Sequence, residues 1–131
     1  MMRTIDTVIV HCADTPESMD IGYKEIYKWH VEENGWDDVG YHYIIRRDGI
    51  VERGRGESVA GAHCRGKNQS SIGICLVGRN RFTREQFHSL RQLVDDIEAR
   101  YSIKEVTGHY KYSDKTCPNI NVEEWYKEYE R

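Results

Sequence analysis

Three side chains of the kinds that bind zinc lie near opposite ends of the chain. His109 and Cys117 stand eight positions apart in GHYKYSDKTCP, and His11 ends the β-branched segment TIDTVIVH. Imidazole nitrogen and thiolate sulfur both suit Zn²⁺, and three protein ligands leave the fourth tetrahedral position open for water. Ligands this far apart in sequence are typical of a catalytic cleft rather than of a zinc finger. The residues indicate a catalytic zinc site, although a buried thiol and a surface histidine explain the same pattern without a metal.

Other patterns that carry chemistry are weaker. The RGRG segment at residues 53–56 lacks both the GxxxxGK[ST] and the GxGxxG spacing of phosphate-binding loops. No serine lies in a GxSxG context, so the chain shows no sign of a serine hydrolase. His30 and His88 fall inside predicted helices, where a histidine usually belongs to a helix face. Trp36, at a helix end, is the tryptophan best placed to stack on a sugar.

Length and charge limit the function classes. With 131 residues the chain predicts a single domain over 1–131, with its chemistry in one cleft. The 19 basic and 22 acidic residues give a net charge of -3, which provides no electrostatic surface for nucleic acid. No apolar run reaches the roughly 20 residues of a membrane span, and the first residues lack a signal region. We therefore expect synthesis in the cytoplasm without a signal peptide, and no membrane insertion.

The cysteines do not predict a disulfide framework. They lie at positions 12, 64, 75 and 117, and a domain of this length does not need cross-links. Cys12 and Cys75 fall in apolar segments with strand character, and we interpret them as buried thiols.

The first half of the chain must position His11. The segment at residues 4–11 predicts a buried strand, which puts His11 at a strand end. An amphipathic helix follows over 21–34, with a glycine directly after it as the stop signal. The Asp-Gly pair inside GYHYIIRRDGIVER then predicts a hairpin, and Tyr41 and His42 stand near the start of its first strand.

The second half of the chain must place His109 and Cys117 near His11. A long loop over 54–71 precedes a central strand, SIGICLVG. Thr83 and Gln86 form a capping box for a second helix. The short strand KEVTGH delivers His109, the next loop delivers Cys117, and a last helix closes the chain. This alternation predicts an α/β fold: a single-domain mixed β-sheet of about five strands flanked by about three helices.

Several segments together resemble a known family. They are VIVHCADTP, EIYKWHVEENGWDDVGYHYIIRRDGIVERGR, the GAH and NQSSIGICLVG segments, and GHYKYSDKTCP. In this order they resemble the zinc-dependent type 2 N-acetylmuramoyl-L-alanine amidases, whose fold is shared with peptidoglycan recognition proteins, and most of all the amidases of T-odd phages. The resemblance runs from about Thr4 to about Trp125, so it implies that fold and that activity for nearly the whole chain.

The resemblance also implies roles for individual residues. It puts the metal ligands at His11, His109 and Cys117, the same three residues that ligand chemistry indicates. It puts a catalytic tyrosine at Tyr41 and a catalytic lysine at Lys115. Without the resemblance, these two residues would be interpreted as a half-buried strand aromatic and a solvated loop cation.

Two further histidines are candidates for substrate binding. His42 and His63 are expected to line the peptide cleft. A structural role in support of the metal ligands is an equal alternative for both.

The implied reaction is hydrolysis of the amide between the lactyl group of N-acetylmuramic acid and L-alanine of the stem peptide. Zinc lowers the pKa of water to about 7, which makes hydroxide available for attack on the carbonyl. Lys115 and the metal would stabilise the oxyanion. Tyr41 would hold the water or the intermediate, but an ordinary tyrosine pKa near about 10 makes it a poor base, so the general base is unassigned.

The expected partner is peptidoglycan or a muropeptide. The expected context is a monomeric phage or prophage endolysin that acts on the bacterial cell wall from the periplasmic side. A bacterial wall-recycling amidase is one alternative, and a regulatory protein with a second partner is another. A module that binds muropeptides without cleaving them is a third, and the presence of all three candidate ligands argues against it.

Overall fold

The computed structural model describes residues 3–129, in which one five-stranded sheet lies between helices. The strands are β1 (Thr7–Cys12), β2 (Tyr43–Ile45), β3 (Val51–Arg53), β4 (Ser71–Leu76) and β5 (Glu105–Gly108). The helices are α1 (Tyr23–Tyr27), which continues as a π-helical segment (Lys28–Glu33), α2 (Arg84–Arg100) and α3 (Val122–Tyr129), and a short 3-10 turn covers His109–Lys111.

The sheet is mixed, in the order β3-β2-β4-β1-β5. β1 pairs in parallel with β4 and β5, and β2 pairs in parallel with β4. Only β3, the hairpin partner of β2, runs antiparallel within the described residues. The predicted α/β fold with a mixed sheet of about five strands and about three helices is confirmed. Because four strands run in one direction, their carboxyl ends meet at one edge, where open α/β sheets bind their ligands.

Strand alternation divides the core between the two faces of the sheet. In β2, Tyr43 and Ile45 pack toward α2 and α3, whereas Ile44 packs toward α1. Successive strand residues point to opposite faces, so one strand supplies both layers. Cys12 and Cys75 are buried, as the sequence predicts.

Helix α2 is fixed at its start by the predicted capping box. Thr83 Oγ1 accepts from the backbone N–H of Gln86 at 3.0 Å, and Gln86 Oε1 accepts from the N–H of Thr83 at 2.9 Å. The buried Gln86 amide also donates to the carbonyl of Val77 at 2.8 Å, which fastens the helix to the sheet. Three apolar residues of α2 are fully buried: Leu90, Val94 and Ile97. None of the helices within 3–129 has the length and apolar character needed to cross a membrane.

The observed elements differ most from the predicted ones in the first strand and the first helix. The first strand covers Thr7–Cys12 rather than residues 4–11. The first helix begins at Tyr23, and its second half has π-helical hydrogen bonds. Over so short a segment, the spacing of apolar side chains fits a π-helix as well as an α-helix, so the sequence could not distinguish the two. The predicted glycine stop is confirmed, because Gly35 has a φ of 76°, in the left-handed region.

Candidate active site

The side chains predicted to bind a metal meet at the carboxyl edge of the sheet. His11 lies near the end of β1, and His109 directly follows β5, the parallel neighbour of β1. Cys117 returns from the next loop, and its carbonyl accepts from the N–H of Tyr110 at 2.9 Å. One donor atom from each of the three predicted residues lies within 4.8 Å of the other two. Within residues 3–129, no other trio of histidine, cysteine or acidic side chains converges in this way.

The protonation states of the three side chains suit metal binding. Burial, followed by neighbouring groups, lowers the pKa of His11 well below its ordinary value. Burial and then the charge of Lys115 lower the pKa of His109. Hydrogen bonding from the Cys12 side chain is the main reason that the pKa of Cys117 lies below its ordinary value. Neutral imidazoles and a thiolate are the forms that coordinate a metal, so the donor set fits Zn²⁺.

Tyr41 is positioned by an extension of the hairpin beyond β2. Its carbonyl accepts from the N–H of Arg55 at 2.9 Å, and the N–H of His42 donates to the carbonyl of Gly73 at 2.9 Å. The ring centroid of Tyr41 lies 5.2 Å from that of His11. Burial raises the pKa of Tyr41 well above its ordinary value. The phenol therefore stays protonated at neutral pH as a hydrogen-bond donor, and its partner within the fold is the Cys75 thiol.

Lys115 lies in the loop that also carries Cys117. Its side chain is exposed and lines the same cleft as the three candidate ligands. Its backbone N–H donates to Ser113 Oγ at 3.1 Å, which helps to shape the loop. The positive charge contributes to the lowered pKa values of both His11 and His109, so it acts on the space where the ligands meet.

The cleft has a volume of about 680 Å³, within the usual range for small-ligand sites. One wall is formed by His30 and Trp36, whose ring centroids lie 4.6 Å apart. His30 Nδ1 accepts from the N–H of Gly40 at 3.0 Å, which fixes the ring. The sequence suggested Trp36 as a stacking residue but assigned His30 only to a helix face. Helical spacing cannot show which helix face closes a cleft, so no local signal identifies His30.

The two predicted substrate histidines occupy different places. His63 lines the cleft, with Nδ1 only 2.8 Å from His11 Nε2. His42 is fully buried and lines a neighbouring cavity of about 540 Å³. Its Nδ1 accepts from the N–H of Gly73 at 3.0 Å, and its Nε2 donates to the carbonyl of Val59 at 2.8 Å. Both ring nitrogens of His42 are thus already bonded within the fold.

Comparison with known proteins gives one consistent family. The family model described as N-acetylmuramoyl-L-alanine amidase matches residues 1–120. The endolysin of Escherichia phage T7 is 41% identical over 136 residues, which cover 98% of this chain and 89% of that protein. Peptidoglycan-recognition protein LB of Drosophila melanogaster is 31% identical over 127 residues, covering 85% of this chain and 53% of that protein.

The solved structures agree. The N-acetylmuramoyl-L-alanine amidase LysC from Clostridium intestinale URNW superimposes with a TM-score of 0.86 and 27% identity, covering 96% of this chain and 85% of that one. The resemblance identified in the sequence is confirmed, and so is the amidase-like fold that it implies.

Proposed function

The chain belongs to the N-acetylmuramoyl-L-alanine amidase family, and we propose that it is a zinc-dependent enzyme of phage or prophage lysis. Its substrate is the amide between the lactyl group of N-acetylmuramic acid and L-alanine of a peptidoglycan stem peptide. The observation that carries the proposal is the convergence of His11, His109 and Cys117 in a cleft that also contains Tyr41 and Lys115.

His11, His109 and Cys117 would hold the metal. When bound, Zn²⁺ supplies a Lewis acid that polarises a carbonyl and acidifies water. The chain prepares the site by keeping both imidazoles neutral and by favouring the thiolate of Cys117. The two imidazoles therefore bind without losing a proton, and the lowered pKa of Cys117 makes it easier to deprotonate the thiol on binding.

Tyr41 and Lys115 act on the substrate carbonyl. The protonated phenol of Tyr41 donates a hydrogen bond to the carbonyl oxygen, and this bond strengthens as negative charge develops there. The Lys115 cation, exposed at the same cleft, stabilises the same charge. The general base is left unassigned, because the raised pKa of Tyr41 makes it a donor rather than a proton acceptor.

The relatives support the proposed biological context. Likeness to a phage endolysin over nearly the full length of both chains supports lysis of a bacterial host. In this context residues 1–131 form one amidase domain that acts as a monomer on the periplasmic side of the wall. A wall-recycling amidase would instead prefer soluble fragments, so relative rates on intact sacculi and on free muropeptides separate the two roles.

The test is cleavage of a purified muropeptide followed by mass spectrometry. The protein is used as isolated, after treatment with a chelator, and after restoration with zinc. We expect free stem peptide and an intact disaccharide, lost on chelation and recovered with zinc. If zinc-loaded protein binds the muropeptide but releases no stem peptide, the chain is a recognition module instead.

A further inference from the structure

His63 is held from two sides in the floor of the cleft. Its backbone N–H donates to Asn68 Oδ1 at 2.9 Å, which fixes the loop before β4. Its ring stands at 89° to the His11 ring, and His63 Nδ1 lies 2.8 Å from His11 Nε2. On the other side, His63 Nε2 lies 3.2 Å from Ser71 Oγ. The three side chains form a continuous hydrogen-bonded chain that ends at a candidate ligand.

The direction of this chain follows from its last member. Ser71 Oγ lies 2.7 Å from the carbonyl of Lys67, and a carbonyl can only accept, so the hydroxyl proton is donated there. Ser71 Oγ must then accept from His63 Nε2, which carries the ring proton of His63. His63 Nδ1 is consequently an acceptor, and His11 Nε2 donates to it. This leaves the lone pair of neutral His11 on Nδ1.

The backbone is shaped around the His63 ring. A Cβ at Gly73, on the central strand β4, would lie 2.6 Å from atoms of that ring. A Cβ at Gly61 would lie 2.5 Å from His63 Cδ2. Both contacts are too short for any side chain, so glycine at these two positions makes room for the imidazole. The ring therefore has a fixed place beside His11, independent of any ligand in the cleft.

We propose that His63, held by Ser71, is a positioning residue that fixes His11 in the tautomer whose Nδ1 receives the metal. The inference rests on the proposed zinc site and assigns a task to residues that surround it. A histidine ligand commonly donates its second N–H to an acceptor that fixes its orientation and raises its basicity. Here that acceptor is a second imidazole, whose own tautomer is set by the buried Ser71.

The tautomers can be observed directly in metal-free wild-type protein. Long-range nitrogen–proton correlation spectra of ¹⁵N-labelled histidines distinguish a protonated Nε2 from a protonated Nδ1. We expect both His11 and His63 to carry their protons on Nε2. Protonation of His11 on Nδ1 would overturn the proposal without any variant being made.

Zinc affinity provides the second test, measured by competition with a chromophoric chelator. We expect His63→Ala to weaken zinc binding by about 10- to 100-fold, as is usual when such a partner is lost. Ser71→Ala should also weaken zinc binding, although Ser71 is not a candidate ligand. Without the Ser71 hydroxyl, the His63 ring can carry its proton on Nδ1 and then no longer accepts from His11. His63→Asn should recover much of the affinity, since its Oδ1 offers an acceptor near the lost Nδ1.

His88→Ala, an exposed histidine on α2, is the matched control and should bind zinc as the wild type does. Circular dichroism shows whether each variant is folded. Wild-type zinc affinity in folded His63→Ala and Ser71→Ala variants would refute the positioning role, while the amidase proposal would stand. A different pair of results separates the two proposals in the other direction. If the variants bind zinc more weakly but the wild-type protein cleaves no muropeptide, the positioning role is supported and the amidase proposal is refuted.

Discussion

The sulfur atoms of Cys12 and Cys117 lie 3.4 Å apart, and the backbone N–H of Cys12 donates to Cys117 Sγ at 3.1 Å. One residue therefore directs two hydrogens at the sulfur of a candidate ligand. Hydrogen bonds to a thiolate favour its charged form. The side-chain bond accordingly lowers the pKa of Cys117 and raises that of Cys12. Cys12, which neither ligand chemistry nor the family resemblance singled out, thus favours the thiolate of Cys117, the form that coordinates a metal.

Replacing Cys12 by alanine should raise the pKa of Cys117, because the thiol donor is lost while the backbone donor remains. The pH dependence of Cys117 alkylation, followed by peptide mass spectrometry in metal-free protein, measures this pKa. The midpoint should move upward in Cys12→Ala and stay unchanged in Cys64→Ala, a buried cysteine outside the cleft lining. An unchanged midpoint in Cys12→Ala would show that the sulfur contact has no electrostatic effect.

Two groups of variants should differ in whether they lose zinc together with activity or lose activity alone. His11→Ala and Cys117→Ala should lose zinc and activity together, because each removes one of three ligands. Lys115→Ala should keep zinc but lose about 100-fold or more in kcat, as expected for a group that stabilises an oxyanion. Atomic spectroscopy beside a cell-wall turbidity assay checks both. Stoichiometric zinc with full lysis in Cys117→Ala would contradict the ligand assignment.

Tyr41→Phe should keep zinc and the ring contact with His11 but lose the hydroxyl donor. We expect kcat to fall by about 100-fold with little change in KM, since the bond acts mainly in the transition state. Steady-state kinetics on a muropeptide measures both constants. A variant with wild-type kcat would mean that the phenol does not contact the reacting carbonyl.

Glu57 makes the stability of the fold depend on acid pH. Its carboxylate accepts from Arg100 Nη2 at 2.9 Å and from the hydroxyl of Tyr101 at 2.7 Å. Hydrogen bonding from Arg100 is the main cause that lowers the pKa of Glu57 to about 2. A folded pKa below the unfolded one stabilises the protein above the unfolded pKa, and this stabilisation is lost as the pH falls through the folded pKa.

Glu57→Gln should therefore lower the Tm near pH 7, and its deficit should shrink as the pH falls toward about 2. Thermal unfolding followed by circular dichroism over this range measures the difference. Glu32→Gln, an exposed carboxylate, is the control and should change the Tm little at any pH. If the Tm of Glu57→Gln stayed below that of the wild type by the same amount at every pH, the lowered pKa of Glu57 would be contradicted.

The sheet could be predicted from the sequence, and so could the meeting of two of the three candidate ligands, because both depend on local patterns. β-branched runs mark β1 and β4, and a polar side chain directly after such a run lies at the carboxyl edge of a parallel sheet. His11 lies near the end of β1 and His109 directly follows β5, so their meeting in space follows once these strands are parallel neighbours.

The rest of the site depends on packing between distant segments. His30 lines the cleft together with residues from the other end of the chain, such as His109 and Cys117. The chain from Ser71 through His63 to His11 joins a loop, the start of β4 and the end of β1. The spacing of residues along the chain does not predict such contacts. Gly61 and Gly73 make room for the His63 ring, but nothing in the sequence around them indicates this role.

Hydrolysis in water enriched in oxygen-18 tests the central claim most directly. Zinc-loaded protein is incubated with a muropeptide whose sugar end has been reduced, and both products are weighed by mass spectrometry. We expect one heavy oxygen in the lactyl carboxylate of an intact disaccharide, none in the released stem peptide, and no reaction in Cys117→Ala. Heavy oxygen at a sugar–sugar bond or inside the stem peptide, or undiminished cleavage by Cys117→Ala, would contradict a zinc amidase built on these three ligands.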